Sequence, residues 1–196
     1  VNVMLGYLQL LQENVYGELT ERQREIAGTL VSQTQLLSRL IRQLLDVSRF
    51  EAGGGKLEMK PVVLAEFLDD LERAFRVLAL QREVSFDVKS DRDIPHEVLW
   101  DPVRMNEVLG NLLSNAFKFT NKAGRVSLLV GREGDHVRME VSDTGAGIPH
   151  DQIPHIFEKF YQADTQAPLA LRGAGLGLAI AKSIVDSHDG RILVES

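Results

Sequence analysis

Two asparagines stand four residues apart in NEVLGNLLSNAFKFT (106–120), Asn111 and Asn115, with Lys118 just beyond them. In a helix that spacing puts both amides on one face. An amide oxygen is a hard, neutral ligand that suits magnesium, which keeps several waters and takes further ligands from phosphates. The same side chains could instead satisfy helix or loop backbone groups. Further along, SDTGAGIP (142–149) places one carboxylate, Asp143, before a turn in which Gly145 and Gly147 carry no side chains. A buried carboxylate there could accept the exocyclic amine of adenine and reject guanine, with the glycines letting the base approach the backbone. An aspartate before glycine also forms turns that bind nothing. In RGAGLGLAIAKSIVDSH (172–188), Gly173, Gly175 and Gly177 run into an apolar helix. Free amides and the dipole at that helix start favour phosphate. The loop lacks the Lys-Ser/Thr ending of a P-loop, and no strand directly precedes it as in a dinucleotide fingerprint. Arg172 and Lys118 are candidates for neutralising phosphate charge, or else solvated surface. In order along the chain, the segments supply a metal ligand, a base-reading acid and a phosphate cradle.

The 196 residues, 44% of them hydrophobic, can bury a substantial core in one or two domains. A net charge of −6 argues against sequence-independent nucleic-acid binding, which calls for a basic face. The absence of cysteine excludes disulfides and thiolate metal sites. No apolar run approaches the roughly 20 residues of a membrane span, and no signal-peptide pattern is present. The chain is expected to be soluble and cytoplasmic, with any membrane anchor of a larger parent lying outside it.

The first fifty residues contain no proline, and Val1, Met4, Leu8, Leu11 and Val15 follow a 3, 4, 3, 4 seam. NVYGEL interrupts. Thr20 and Gln23 then form a capping box that opens a second helix. Its seam runs Ile26, Leu30, Leu37, Leu40, Leu44 and Val47, with Gln33 inside it, and a second stripe of Leu36, Ile41 and Leu45 widens the apolar face. GGG at 53–55 ends it. Such a hairpin either packs on the rest of the chain or pairs with its copy in a four-helix bundle, and two broad stripes favour pairing.

From about Lys56 the pattern changes. Residues 64–81 read as an amphipathic helix, VSFDVKS (84–90) as a half-buried strand, and VLWD (98–101) as a short apolar segment. Asp101 and Pro102 start the helix of the two asparagines. RVSLLVG (125–131) and HVRMEVSD (136–143) read as strands joined by REGD. IPHIFEKF (153–160) reads as a short helix, residues 176–188 as a longer one and RILVES as a final strand. Residues 161–172 read as a mobile lid. This mixture predicts an α+β fold, with helices on one face of a mixed or antiparallel sheet behind the helical hairpin.

The order and spacing of these motifs closely resemble sensor histidine kinases. NLLSNAFKFT is similar to that family's N box, DTGAGIP to its first glycine box, IFEKFYQAD to its F box around Phe157 and Phe160, and GAGLGLAI to its second glycine box. Residues 1–55 resemble the dimerisation and histidine-phosphotransfer hairpin, and 56–196 the ATP-binding catalytic domain. The resemblance covers nearly the whole chain. It implies a Bergerat-type α/β sandwich of the GHKL kind, shared with gyrase, Hsp90 and MutL. It also implies ATP and Mg2+ as cofactors, a homodimer through the hairpin, and a response-regulator receiver domain as partner, with no nucleic acid. Carried onto this chain, Asn115 holds magnesium, and Asn111 contacts the metal or phosphate. Lys118 contacts phosphate, and Phe119 packs near the nucleotide. Asp143 holds the adenine amine, with Gly145 and Gly147 shaping its pocket. Arg172, Gly173, Gly175, Leu176 and Gly177 line the phosphate end, while Phe157 and Phe160 support the lid.

In gyrase-like relatives a water-activating glutamate takes the place of Asn111, so Asn111 favours transfer to a protein side chain over hydrolysis. The family's phosphoacceptor lies in a His-Glu-x-x-Thr-Pro-type segment. VNVMLGYLQLL resembles the stretch just after it, which puts the acceptor about six residues before Val1, roughly 9 Å along the helix. His96, His136, His150, His155 and His188 read as structural. The chain is thus expected to bind Mg-ATP without phosphorylating itself, and to be the core of a kinase that passes phosphoryl from histidine to a regulator's aspartate. The alternatives are a GHKL-type ATPase clamp and a non-catalytic dimeric signalling scaffold.

Overall fold

The computed structural model describes residues 2–51, 56–162 and 174–196, which divide into two compact units, Val1–Ser48 and Arg49–Ser196. The first unit is helical, with α1 (Asn2–Gln12) followed by α2 (Glu21–Glu51), the latter running past the unit boundary. The capping box forms as read: the Gln23 N–H donates to Thr20 Oγ1 at 3.3 Å and the Thr20 N–H to Gln23 Oε1 at 2.9 Å. Val15, expected on the first seam, lies beyond α1 in a turn where Asn14 and Gly17 take positive φ. Among the described side chains of α2, Ala27, Thr34 and Ser38 are buried, whereas Ile26, Leu30, Leu37, Ile41 and Leu45 are exposed. Gln33 is exposed as well.

The second unit is α/β. Strand β1 (Lys60–Val63) pairs antiparallel with β3 (Glu97–Trp100). A separate sheet has β4 (Arg125–Glu133) at its centre, parallel to β2 (Ser85–Ser90) and antiparallel to β5 (His136–Asp143). The sheet is mixed, as one of the two anticipated arrangements required. Among the described residues, three helices accompany the strands: α3 (Leu64–Arg82), α4 (Pro102–Phe119) and α5 (Gly177–Ser187).

Strict alternation along β4 sends Val126, Leu128 and Val130 inward, all fully buried. Leu64, Phe67, Leu68 and Leu71 of α3 and Leu109, Leu113, Ala116 and Phe117 of α4 complete that core. Phe117 anchors α4. Its ring lies 6.0 Å from Phe75, nearly parallel, and 5.3 Å edge-on from Phe86 of β2. Burying one such side chain contributes about 1.5–3 kcal/mol relative to exposure.

Three local readings need correction. Residues 153–160 do not form a helix. Only a 3₁₀ turn, Ile153–His155, appears, and bonds from the His155, Glu158 and Tyr161 amides to carbonyls three residues back tighten the segment. RILVES alternates like a strand, yet residues 191–196 join neither ladder. Strand β1 was not anticipated.

Candidate nucleotide site

Helix α4 carries the candidate ligands, and its start is firmly fixed. Asp101 caps it by accepting from the Val103 and Arg104 amides at 3.0 and 3.1 Å, and its other oxygen accepts from the Glu58 N–H at 2.9 Å. Asn111 and Asn115 follow at half-buried positions one turn apart. Neither side-chain amide bonds to another described residue, so both oxygens remain available as ligands. Lys118, in the last turn, lies over the Phe119 ring with Nζ 4.5 Å from the centroid. Burial pushes its ammonium below the usual lysine value.

The other two segments meet α4 at different points. A methyl group placed on Gly177, the first residue of α5, would come within 3.1 Å of Asn111 Oδ1. The start of α5 therefore lies against the first asparagine. At the other end of α4, a methyl on Gly145 would fall 2.6 Å from the Phe119 carbonyl oxygen, so only glycine lets the turn after β5 approach so closely. Thr144 ties that turn to β4, with Oγ1 accepting from the Arg125 N–H at 2.9 Å. The start of α5 and the turn after β5, two segments distant in sequence, thus both border α4, at Asn111 and at Phe119.

Asp143 is exposed at the end of β5, not buried as the sequence reading supposed. It stands where the strand gives way to the turn, and Oδ1 accepts from the Gly145 N–H at 2.8 Å. That bond orients the carboxylate and leaves its second oxygen for a donor. Gly147 takes φ +70°, and Ser196 Oγ accepts from the Ile148 N–H at 2.6 Å. Leu176 has its side chain fully buried, so only its backbone can face a ligand.

Gly175 adopts φ +70°, and its missing Cβ would overlap the Phe160 and Tyr161 backbone at 2.6 Å. The Phe160 N–H donates to the Gly175 carbonyl at 2.8 Å. Gly175 therefore joins the start of α5 to the segment after the 3₁₀ turn, a role that glycine spacing alone did not disclose. Arg172, Gly173 and all but the first two residues of the anticipated lid lie outside the described residues. Sequence reasoning also missed the extent of the Asp101 and His188 connections: the Asp101 N–H donates to His188 Nε2 at 3.1 Å.

Comparison with known proteins agrees with this architecture. Residues 1–53 match the His Kinase A (phospho-acceptor) domain, and residues 100–196 match the histidine kinase-, DNA gyrase B- and HSP90-like ATPase family. The circadian input-output histidine kinase CikA of Synechococcus elongatus is 38% identical over 98% of this chain and 26% of its own length. The aerobic respiration control sensor protein ArcB of Escherichia coli is 32% identical over 100% of the chain and 25% of its own length. Full-length ShkA in complex with AMPPNP superposes with a TM-score of 0.81 at 30% identity, covering 94% of this chain and 37% of that one. The chain belongs to the sensor histidine kinase family, with a phosphoacceptor-type hairpin followed by an ATPase-type domain. It spans about a quarter of the length of these curated relatives.

Proposed function

We propose that the chain is the kinase core of a sensor histidine kinase. It binds ATP with magnesium along α4, and the parent protein transfers the γ-phosphoryl group to a histidine and then to an aspartate of a response-regulator receiver domain. One observation carries this reading: the two amide-bearing turns of α4 lie between the Asp143–Gly145 turn at one end and the start of α5 at the other. Asp143 takes the adenine amine, and the α5 amides together with Lys118 face the phosphates. Asn115, with Asn111 beside it, would hold magnesium, which supplies charge neutralisation on the phosphate oxygens. Catalysis by this chain's own residues is then positioning plus electrostatics.

Asn111 separates this reading from an ATPase clamp, since a neutral amide cannot take a proton from water. The exposed Ile26, Leu30, Leu37, Ile41 and Leu45 stripe supports homodimerisation through the hairpin. Calorimetric titration with Mg-ATP and Mg-GTP tests the reading. The wild-type chain is expected to prefer ATP, and Asp143→Ala to weaken ATP by roughly tenfold or more, as the loss of a charge-assisted hydrogen bond requires. Unchanged ATP affinity in that variant would remove the adenine assignment. Rapid steady-state hydrolysis would favour the clamp.

A further inference from the structure

We propose that His188 is a positioning residue for the phosphate end of this site, setting the axial register of α5 against α4; the proposal rests on the nucleotide reading above. The two helices run antiparallel with two points of reference. Gly177 at the start of α5 abuts Asn111, and His188 at its C-terminal end meets Asp101 at the start of α4. The spans from 177 to 188 and from 101 to 111 are each about 15 Å of helix, so a shift at one end is carried to the other. Ala179, Ile180, Ala181 and Ile184 form the buried face of α5 between these points. Such an apolar contact excludes water but sets sliding position weakly, because small and branched aliphatic surfaces offer no directional bond.

The directional bonds belong to His188. Its Nδ1 lies 2.8 Å from the Ile184 carbonyl oxygen, which can only accept, so Nδ1 carries the proton. Nε2 is then bare and accepts from the Asp101 N–H at 3.1 Å. Asp101 is itself held by three amides, those of Glu58, Val103 and Arg104. The imidazole therefore reads a position rigidly tied to the start of α4, and α5 inherits it. Displacing α5 along its axis moves its amide-bearing start relative to Asn111 while leaving the Asp143–Gly145 turn untouched.

This predicts a split between ligands that a general loss of stability does not produce. Wild-type, His188→Ala, His188→Asn and His188→Gln chains are titrated with Mg-ATP by calorimetry and with adenosine by ligand-observed NMR. His188→Ala removes both part-buried ring hydrogen bonds and is expected to weaken Mg-ATP roughly tenfold, with adenosine affinity within about twofold of wild type. His188→Gln places an amide oxygen where Nε2 stands and is expected to restore most of the Mg-ATP affinity. His188→Asn keeps a donor toward Ile184 but does not reach Asp101, so it behaves like alanine and stands in for it should that variant fail to fold. Parallel losses for both ligands, no loss, or no rescue by glutamine would overturn the role given to His188. A wild-type chain that binds neither ligand would instead overturn the nucleotide reading.

Discussion

Gly175 and Asn111 show how single positions divide structural from chemical duty at this site. Asn111 presents an amide that can ligate but not deprotonate, placed against the first residue of α5. Gly175, which the motif assigns to the phosphate end, is committed to packing: positive φ, no room for a Cβ, and a carbonyl that accepts from the Phe160 N–H. Phe160 itself takes φ 63°, a costly conformation for an aromatic residue, so the junction must over-determine it. Gly175→Ala adds a left-handed penalty and a backbone overlap, and is expected to lower stability by about 2 kcal/mol or more. Urea unfolding checks this, and a midpoint equal to wild type would contradict the packing role.

At the scale of elements, Asp101 governs how α4 begins. Burial alone raises its carboxyl, but amide hydrogen bonds from Glu58, Arg104 and Val103, with the Arg104 charge, outweigh that and hold it below the usual aspartate value. Between the folded and unfolded values the unfolded chain binds more protons. The stabilisation is therefore fully present above about pH 3.9 and is lost as pH falls through the folded value. Asp101→Ala is expected to cost about 1–2 kcal/mol at neutral pH, whereas Asp101→Asn keeps a capping oxygen but flattens the acid limb of stability. Urea midpoints across acid pH measure both, and an unchanged acid slope in the asparagine variant would contradict the assignment.

Elements with a long period were legible in the sequence. The buried faces of α3 and α4 and the alternation of β4 announce themselves because each is dictated by one core. Strand β1 is four residues long, half exposed and contains Pro61, so no periodic signal marks it. RILVES carries the alternation of a strand, but a ladder also needs a partner, which local sequence does not encode. At 153–160 short-range bonds three residues back replace the expected helix, and the Phe160 N–H bond to Gly175 comes from a residue distant in sequence.

For the whole molecule, the N-terminal unit presents the feature that most requires a partner. Leu30 and Leu37 are 48% and 46% exposed on a helix whose buried positions, among the described side chains, are the small residues Ala27, Thr34 and Ser38. The seam was legible because large apolar residues repeat on it. The burial of Ala27, Thr34 and Ser38 was not, because small residues give little hydropathy signal. Leu30→Glu with Leu37→Glu is expected to convert a dimer to monomers, read by light scattering, while Mg-ATP binding persists. A wild-type chain that is monomeric at high concentration would contradict pairing through this stripe.

The candidate site depends on the meeting of three distant segments around α4. Its order of motifs was readable, but the contacts of Asn111 with Gly177 and Phe119 with Gly145 depend on the tertiary fold. Backbone amide NMR during titration with Mg-AMPPNP tests that meeting directly. Gly145, Gly147, Asn115 and Gly177 are predicted to shift together and to report one dissociation constant. Shifts confined to a single segment, or different constants for different segments, would contradict a common nucleotide site.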